Sequence, residues 1–403
     1  MTFVHLAFAY LRRRWGQALL SIIVGALGVA AVTAALAGLD ALPRAARQAW
    51  GGVDLVVGPK GSALDLVLCC ALHVSDPHGL VSLEAATKAV GNPMIRASAP
   101  LALGDNVNGW RVVGTTPALI DVYRAHLAKG RMWNDKLQAV LGATAARALH
   151  LEIGDSFVGA HGLAAGGEQH DRFPYKVVGI LAPTGSALDR LVLTDFATVH
   201  YVHAEQARIE RAERGSSDED EGTASGDAAT ALVAAYRMPT AAAILPRQID
   251  ASETLSAASP SFEIARLAGY ARPLTDGATA LGLLLVAIAA AAAALGLMAT
   301  LGARTRDLAL LRALGASRAA LATVALAEAA MIGAAALGLG VALGFGLLAV
   351  AGHALAQATG LQLEPSLGLE QVGGMIGGTI LVILAAAAFP ALRAAHTEIE
   401  ELL

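Results

Sequence analysis

The sequence is poor in charge and in aromatic rings. Of its 403 residues only 15% are Asp, Glu, Lys or Arg and only 4% are aromatic, against 55% hydrophobic. Soluble domains carry about a quarter charged residues, so this balance excludes most soluble enzyme classes and marks an integral membrane protein. With a net charge of −4 and no basic face, nothing points to a nucleic-acid partner. Cysteine is nearly missing: Cys69 and Cys70 are the only two, and they are adjacent. A bridge between neighbours is strained, so the pair is read as two small apolar residues in a core strand. So few cysteines say little about redox compartment.

The common catalytic motifs are missing too. There is no Gly-Lys dipeptide, hence no phosphate-binding P-loop, and neither His-Glu-x-x-His nor Gly-x-Ser-x-Gly occurs. Catalysis by this chain has no sequence support and no cofactor is expected in it. If it does energised work, the ATPase belongs to another polypeptide.

What is present is a pattern of apolar runs. The first covers residues 15–39, and at about 25 residues, roughly 37 Å of helix, it is long enough to span a bilayer. A signal-peptide core is shorter, so this run is read as an uncleaved span, with residues 1–14 as a short helix along the membrane surface. Three further runs, 275–301, 319–351 and 372–392, crowd the end of the chain. The predicted fold is therefore an integral membrane protein of four transmembrane helices, with a large extracytoplasmic α+β domain (40–273) between the first and second.

Positive charge sets the orientation. Arg304, Arg306, Arg312 and Arg318 lie between the second and third runs, and Arg393 follows the fourth in the tail 393–403. The loop 352–371 contains no Lys or Arg. By the positive-inside rule both termini are cytoplasmic. Gly340 and Gly344 in the third run, beside Gly333, Gly338 and Gly346, have the small-xxx-small spacing of close helix contacts. Glu328 is the single acid placed well inside a run, too little for an ion or proton path.

In the outer domain, short strand patterns occur at Val53 to Val57, Trp110 to Val113, Tyr175 to Leu181 and Arg190 to Leu193. Helical patterns cover Pro117 to Ala128 and Ala143 to Leu149. Residues 205–227 read as the end of a charged helix running into a disordered acidic insert. Eight of the eleven histidines fall in this domain. His200 and His203 share a helix face at i, i+3, His161 and His170 flank a Gly-rich loop ending at Asp171, and His73 precedes Asp76 and His78. Imidazole and carboxylate suit zinc and related ions. No set has the spacing of a known site, so the histidines are read as solvated surface groups, with His200, His203, His161 and His170 the candidates if a metal is held.

The cytoplasmic segment 302–318 contains the run Arg304-Thr-Arg-Asp-Leu-Ala-Leu-Leu-Arg-Ala-Leu-Gly-Ala-Ser-Arg318. It resembles the signature of the MacB/FtsX-like, or mechanotransmission, ABC transporter permeases, with Asp307 where Glu is commoner. Asp54 to Ser62, Gly130 to Trp133, Val140 to Ala146, Ile153 to Phe157 and Val177 to Asp189 likewise look like the MacB-type periplasmic domain. The resemblance implies a bacterial inner-membrane permease that works as a homo- or heterodimer. Two ABC ATPase subunits would bind ATP and Mg, and lipids and a periplasmic adaptor or substrate protein would be further partners.

In that setting Leu308, Leu311 and Leu314 present one apolar face to a groove on the ATPase, with Arg306, Asp307 and Arg312 fixing register. Gly315 caps the helix ahead of Ser317. Export or extraction of a lipoprotein, peptide or other amphiphile is the expected function. The alternatives are an FtsX-like signalling scaffold that regulates a periplasmic enzyme, and a metal-sensing outer domain.

Overall fold

The computed structural model describes residues 8, 11–12, 15–162, 172–214, 227–303, 317–359 and 361–396. The chain divides into a helical unit (Met1–Leu42, Tyr270–Gln357, Gln362–Leu403) and a mixed unit (Pro43–Gly269 with Ala358–Leu361). The first helix, α1, is Trp15–Ala49 and continues through Pro43.

The mixed unit opens with β1 (Leu55–Pro59), α2 (Ala63–Cys70), β2 (Val81–Ser82), α3 (Leu83–Val90), β3 (Ile95–Val107) and β4 (Trp110–Thr115). It continues with α4 (Ala118–Tyr123), β5 (Leu127–Gly130), β6 (Gln138–Leu141), α5 (Ala143–Leu149), β7 (Ser156–Phe157), β8 (Ala160–His161) and β9 (Tyr175–Leu181). Last come β10 (Val192–Asp195), α6 (Phe196–Arg214), β11 (Ala228–Ala229), β12 (Ala231–Tyr236), α7 (Ala241–Asp250) and β13 (Leu255–Ala258).

Local chemistry explains the starts and stops. Ser62 and Ser82 cap α2 and α3, each hydroxyl accepting a backbone N–H three residues on, from Asp65 and Ala85 at 3.3 Å. Asn108 and Gly109 both take positive φ (49° and 82°), the backbone a two-residue hairpin needs, and join β3 to β4. The expected helix Pro117 to Ala128 is corrected: it ends at Tyr123, because Arg124 turns left-handed at φ 53°, and Leu127–Gly130 then pairs with β9 as a strand. The cysteines are corrected likewise. They are buried core residues, but on the helix α2 rather than a strand.

The long strand β3 organises two lobes. Its first half, up to Leu101, pairs with β12, and its second half, from Ala102, with β4. The sheet runs β13-β1-β12-β3-β4-β10-β6-β9-β5, with β7 added on β9 and β8 on β3. It is antiparallel except for β10 beside β4 and β6 beside β9. One core spans both lobes, centred on Val56, Leu101, Leu119, Leu188 and Val233. A second packs α3 and α7 on the first lobe around Leu55, Val90 and Leu245, and a third packs α5 and α6 on the other around Leu141, Tyr175 and Val202.

The helical unit draws on α1 together with α8 (Pro260–Ala303), α9 (Arg318–Thr359) and α10 (Leu369–His396). All four are long and apolar enough to cross a membrane. They outrun the apolar windows 15–39, 275–301, 319–351 and 372–392, since alanine-rich flanks prolong a helix past the point where hydropathy falls. Their packing relies on glycine. A Cβ on Gly340 would lie 2.7 Å from Ala26 O, and one on Gly344 2.7 Å from Thr33 Cβ, so this pair brings α9 against α1. Gly338 and Gly346 face open space and play no part in that contact.

Candidate functional site

The structure brings together three polar side chains that lie far apart in sequence. Asp105 sits in β3 just after a bulge at Gly104, and its partner across the ladder is His161 of β8. His203 comes down from α6, 98 residues further along the chain than Asp105. Its Nε2 donates to Asp105 Oδ1 at 2.9 Å, and His161 Nδ1 stands 3.5 Å from the same oxygen. The imidazole centroids are 5.2 Å apart, edge to face. Asp105 is 1% exposed while the His161 side chain is 62% exposed, so a buried carboxylate meets a largely exposed imidazole.

Backbone geometry makes room for this. A side chain on Gly104 would put Cβ only 3.1 Å from His203 Cε1, so glycine there lets the imidazole reach the carboxylate. Asn106 holds β8 in place, its amide donating to Gly162 O at 2.8 Å and Ala160 O at 3.2 Å on either side of His161. Tyr175 is fully buried nearby. Burial first, and the Asp105 charge second, push its hydroxyl above the usual range.

The other expected site residues fare differently. His200 shares a helix with His203 but not its environment: its ring lies 5.0 Å from Phe196 and its Nε2 is buried without a hydrogen-bond partner. Burial, then neighbouring His203, lower its pKa. His78 Nδ1 binds Asp65 at 2.7 Å rather than joining His73. His170 and Asp171 lie outside the described residues, as do Arg306, Asp307, Leu308, Leu311, Arg312, Leu314 and Gly315. Ser317 is exposed, directly ahead of α9. Residues 215–226 of the acidic insert and nearly all of 1–14 are outside as well, while 205–214 complete α6.

A second polar feature is a cleft of about 180 Å³ lined by His73, Trp110, Arg111, Arg190 and Thr359, among others. Arg111 is committed to structure. It donates to Ser75 O at 2.7 Å and to Cys69 O at 3.3 Å, which ties the end of α2 to β4. Arg190 lies over the Trp110 ring, 5.4 Å from its centroid. His73 takes φ 57° and its Nδ1 is buried without a partner. Burial, then the Arg111 charge, lower its pKa to about 3.

His73 is thus neutral in the folded domain but protonates in the unfolded chain near pH 6.5. Its contribution to stability is complete above that pH and is lost as pH falls from 6.5 toward 3, by at most about 1.4 kcal/mol per unit. Asparagine tolerates the left-handed backbone and does not titrate. The melting temperature of His73→Asn should therefore fall less than that of the parent between about pH 7 and about pH 5. Identical slopes in a thermal melt would refute the assignment.

Four membrane-length helices with one large α+β domain inserted in the chain behind the first define a class: multi-span membrane proteins that carry a large mixed domain between their first and second spans. The family is then specific. Residues 18–243 match the model of the MacB-like periplasmic core domain and residues 278–399 that of the FtsX-like permease C-terminal region. The chain belongs to the MacB/FtsX-like ABC transporter permeases of the bacterial inner membrane.

Among solved structures, the periplasmic region of MacB from Actinobacillus actinomycetemcomitans is similar at 12% identity and a TM-score of 0.34, over 54% of this chain and 93% of its own. The extracellular domain of the noncanonic ABC-type transporter YknZ from Gram-positive bacteria is similar at 10% identity and a TM-score of 0.29, over 50% and 98%. No curated protein sequence matches this chain.

Proposed function

We propose that this chain is the membrane subunit of a mechanotransmission ABC transporter. It relays ATP-driven movement of a separate ATPase to its MacB-like domain, which exports or extracts a lipoprotein, peptide or other amphiphile. The observation that carries the reading is the joint match of two family models, in chain order, to the domain and to the helices behind it. The working unit is a dimer of such chains with two ATPase subunits, which hold the ATP and Mg. The domain faces the periplasm, both termini face the cytoplasm, and an adaptor or substrate protein meets the domain from outside.

Physical features support relay over conduction. The crevice among α1, α8, α9 and α10 measures about 60 Å³ and is lined mainly by Ala, Gly, Val and Ile. A lining so apolar offers few hydrogen-bond partners to a hydrophilic solute or a peptide backbone. At 35 and 44 residues, α1 and α8 correspond to about 52 and about 66 Å of helix, against a hydrocarbon core of about 30 Å. Each of these helices runs on in the chain from the helical unit into the mixed unit, a continuous covalent link between input and output.

Input enters through residues 302–318, where Leu308, Leu311 and Leu314 seat on the ATPase and Arg306, Asp307 and Arg312 set register. Mass spectrometry of the gently extracted complex should find an ABC ATPase with the permease in about equal amounts. Arg312→Glu and Asp307→Lys should each cut permease-stimulated ATP hydrolysis by about tenfold or more, since a reversed charge meets its like across the interface, while leaving the melting temperature unchanged. Normal stimulation in both variants, or an intact permease that retains no ATPase, removes the proposal.

A further inference from the structure

We propose that Asp105, His161 and His203 form a binding site for one divalent transition-metal ion of the zinc class. The inference does not depend on the transport reading. It rests on three ligand groups delivered by three separate elements, β3, β8 and α6, with donor atoms all within 4.8 Å of one another.

The spacing suits an ion. Around tetrahedral zinc with bonds of about 2.0–2.1 Å to nitrogen and oxygen, donors stand about 3.3 Å apart. His161 Nδ1 and Asp105 Oδ1 are already at 3.5 Å, and His203 Nε2 and the same oxygen at 2.9 Å. Binding requires His203 to release the Nε2 proton that now bonds the carboxylate, and the two atoms to part by about half an ångström. The set offers two imidazoles and one carboxylate and no thiolate, which favours zinc and its first-row neighbours over calcium, magnesium or soft copper(I).

The surroundings are those of a prepared site. Asp105 is 1% exposed, so its carboxylate is presented to the cluster with little water to compete for it. Asn106 locks the backbone on both sides of His161, in the way outer partners fix the ligands of metal sites. Among the described residues the set supplies three protein ligands. An ion here would fasten β8 and α6 to β3 across 98 residues of sequence.

The test uses the full chain in detergent, without a histidine tag, stripped by chelator and titrated with zinc against a fluorescent competitor. One zinc per chain should bind with a dissociation constant below about 10 μM, and X-ray absorption should report nitrogen and oxygen neighbours including imidazole. His161→Ala and His203→Ala should each weaken binding by more than about tenfold, the loss that even an outer-shell partner causes, and abolish the rise in melting temperature on adding zinc. His126→Ala, an exposed histidine elsewhere, should bind as the parent does. His161 is exposed enough for its variant to fold, which the metal-free melting temperature checks. Failure to bind below about millimolar zinc, equal affinity in both variants, or sulfur neighbours from Cys69 and Cys70 would each overturn the proposal.

Discussion

Gly28→Leu should destabilise the helical unit by about 3 kcal/mol or more, the upper range for overpacking a close contact. Gly28 of α1 and Gly282 of α8 meet backbone to backbone. A Cβ on Gly28 would lie 2.6 Å from Gly282 O and 2.9 Å from Val286 N, and one on Gly282 would lie 2.7 Å from Gly28 O. Those neighbours are main chain and cannot rotate away, so the helices themselves must separate. In a bilayer their attraction comes chiefly from van der Waals contact at short range, and separation forfeits it. Gly28→Ala should show the same effect at smaller amplitude. Gly277→Leu, on α8 but facing open space, should leave the unit as stable as the parent. Unfolding in detergent followed by circular dichroism ranks the three; equal stability for Gly28→Leu and Gly277→Leu would contradict the packing described.

Asp189→Ala should cost the mixed unit about 2–4 kcal/mol, through the loss of several hydrogen bonds to one charged group. The carboxylate is 7% exposed and gathers the turn before it. Thr184 N donates to Oδ1 at 2.8 Å, Gly185 N to Oδ2 at 2.8 Å, and Thr184 Oγ1 to Oδ1 at 2.7 Å. The short helical turn 187–190 that follows sits against Gly142, at the start of α5, so the loop braces two elements as well as itself. Asp189→Asn keeps one carbonyl acceptor and should lose about half as much. Asp121→Ala, exposed on α4, should fall within about 0.5 kcal/mol of the parent. Urea unfolding at unchanged slope measures the differences, and a neutral Asp189→Ala would show that the turn is held by other contacts.

Val177 to Asp189 is one of the segments whose resemblance to the family is plain in the sequence. Why Asp189 stands there is not. The residue type is visible, but the ring of donors it serves exists only once the turn has closed. The cysteines teach the converse. Burial of Cys69 and Cys70 follows from their apolar character, whereas helix against strand was decided by Ser62, which caps α2 and sets the period of the residues after it.

Helix and strand boundaries divide along the same line. Tyr175–Leu181 and Ala143–Leu149 are found where their periodicity places them, since each pattern is complete within one element. The helix at Ala118 stops early because Arg124 enters the left-handed region and the next residues find a ladder on β9. That partner lies about 50 residues away and leaves no trace in a local window.

Four apolar runs, the large inserted domain and the family are properties of the sequence by itself. Hydropathy, charge and short motifs are local quantities, and the bilayer or the partner reads them locally. Tertiary structure alone decided which glycines are contacts and which are bystanders, since Gly340 and Gly338 look alike until α1 is placed beside one of them. It alone parted His200 from His203 and joined His203 to Asp105 and His161. A ligand set needs atoms within a few ångströms. Only the pairing of β8 with β3, the bulge at Gly104 and the descent of α6 bring these groups so close.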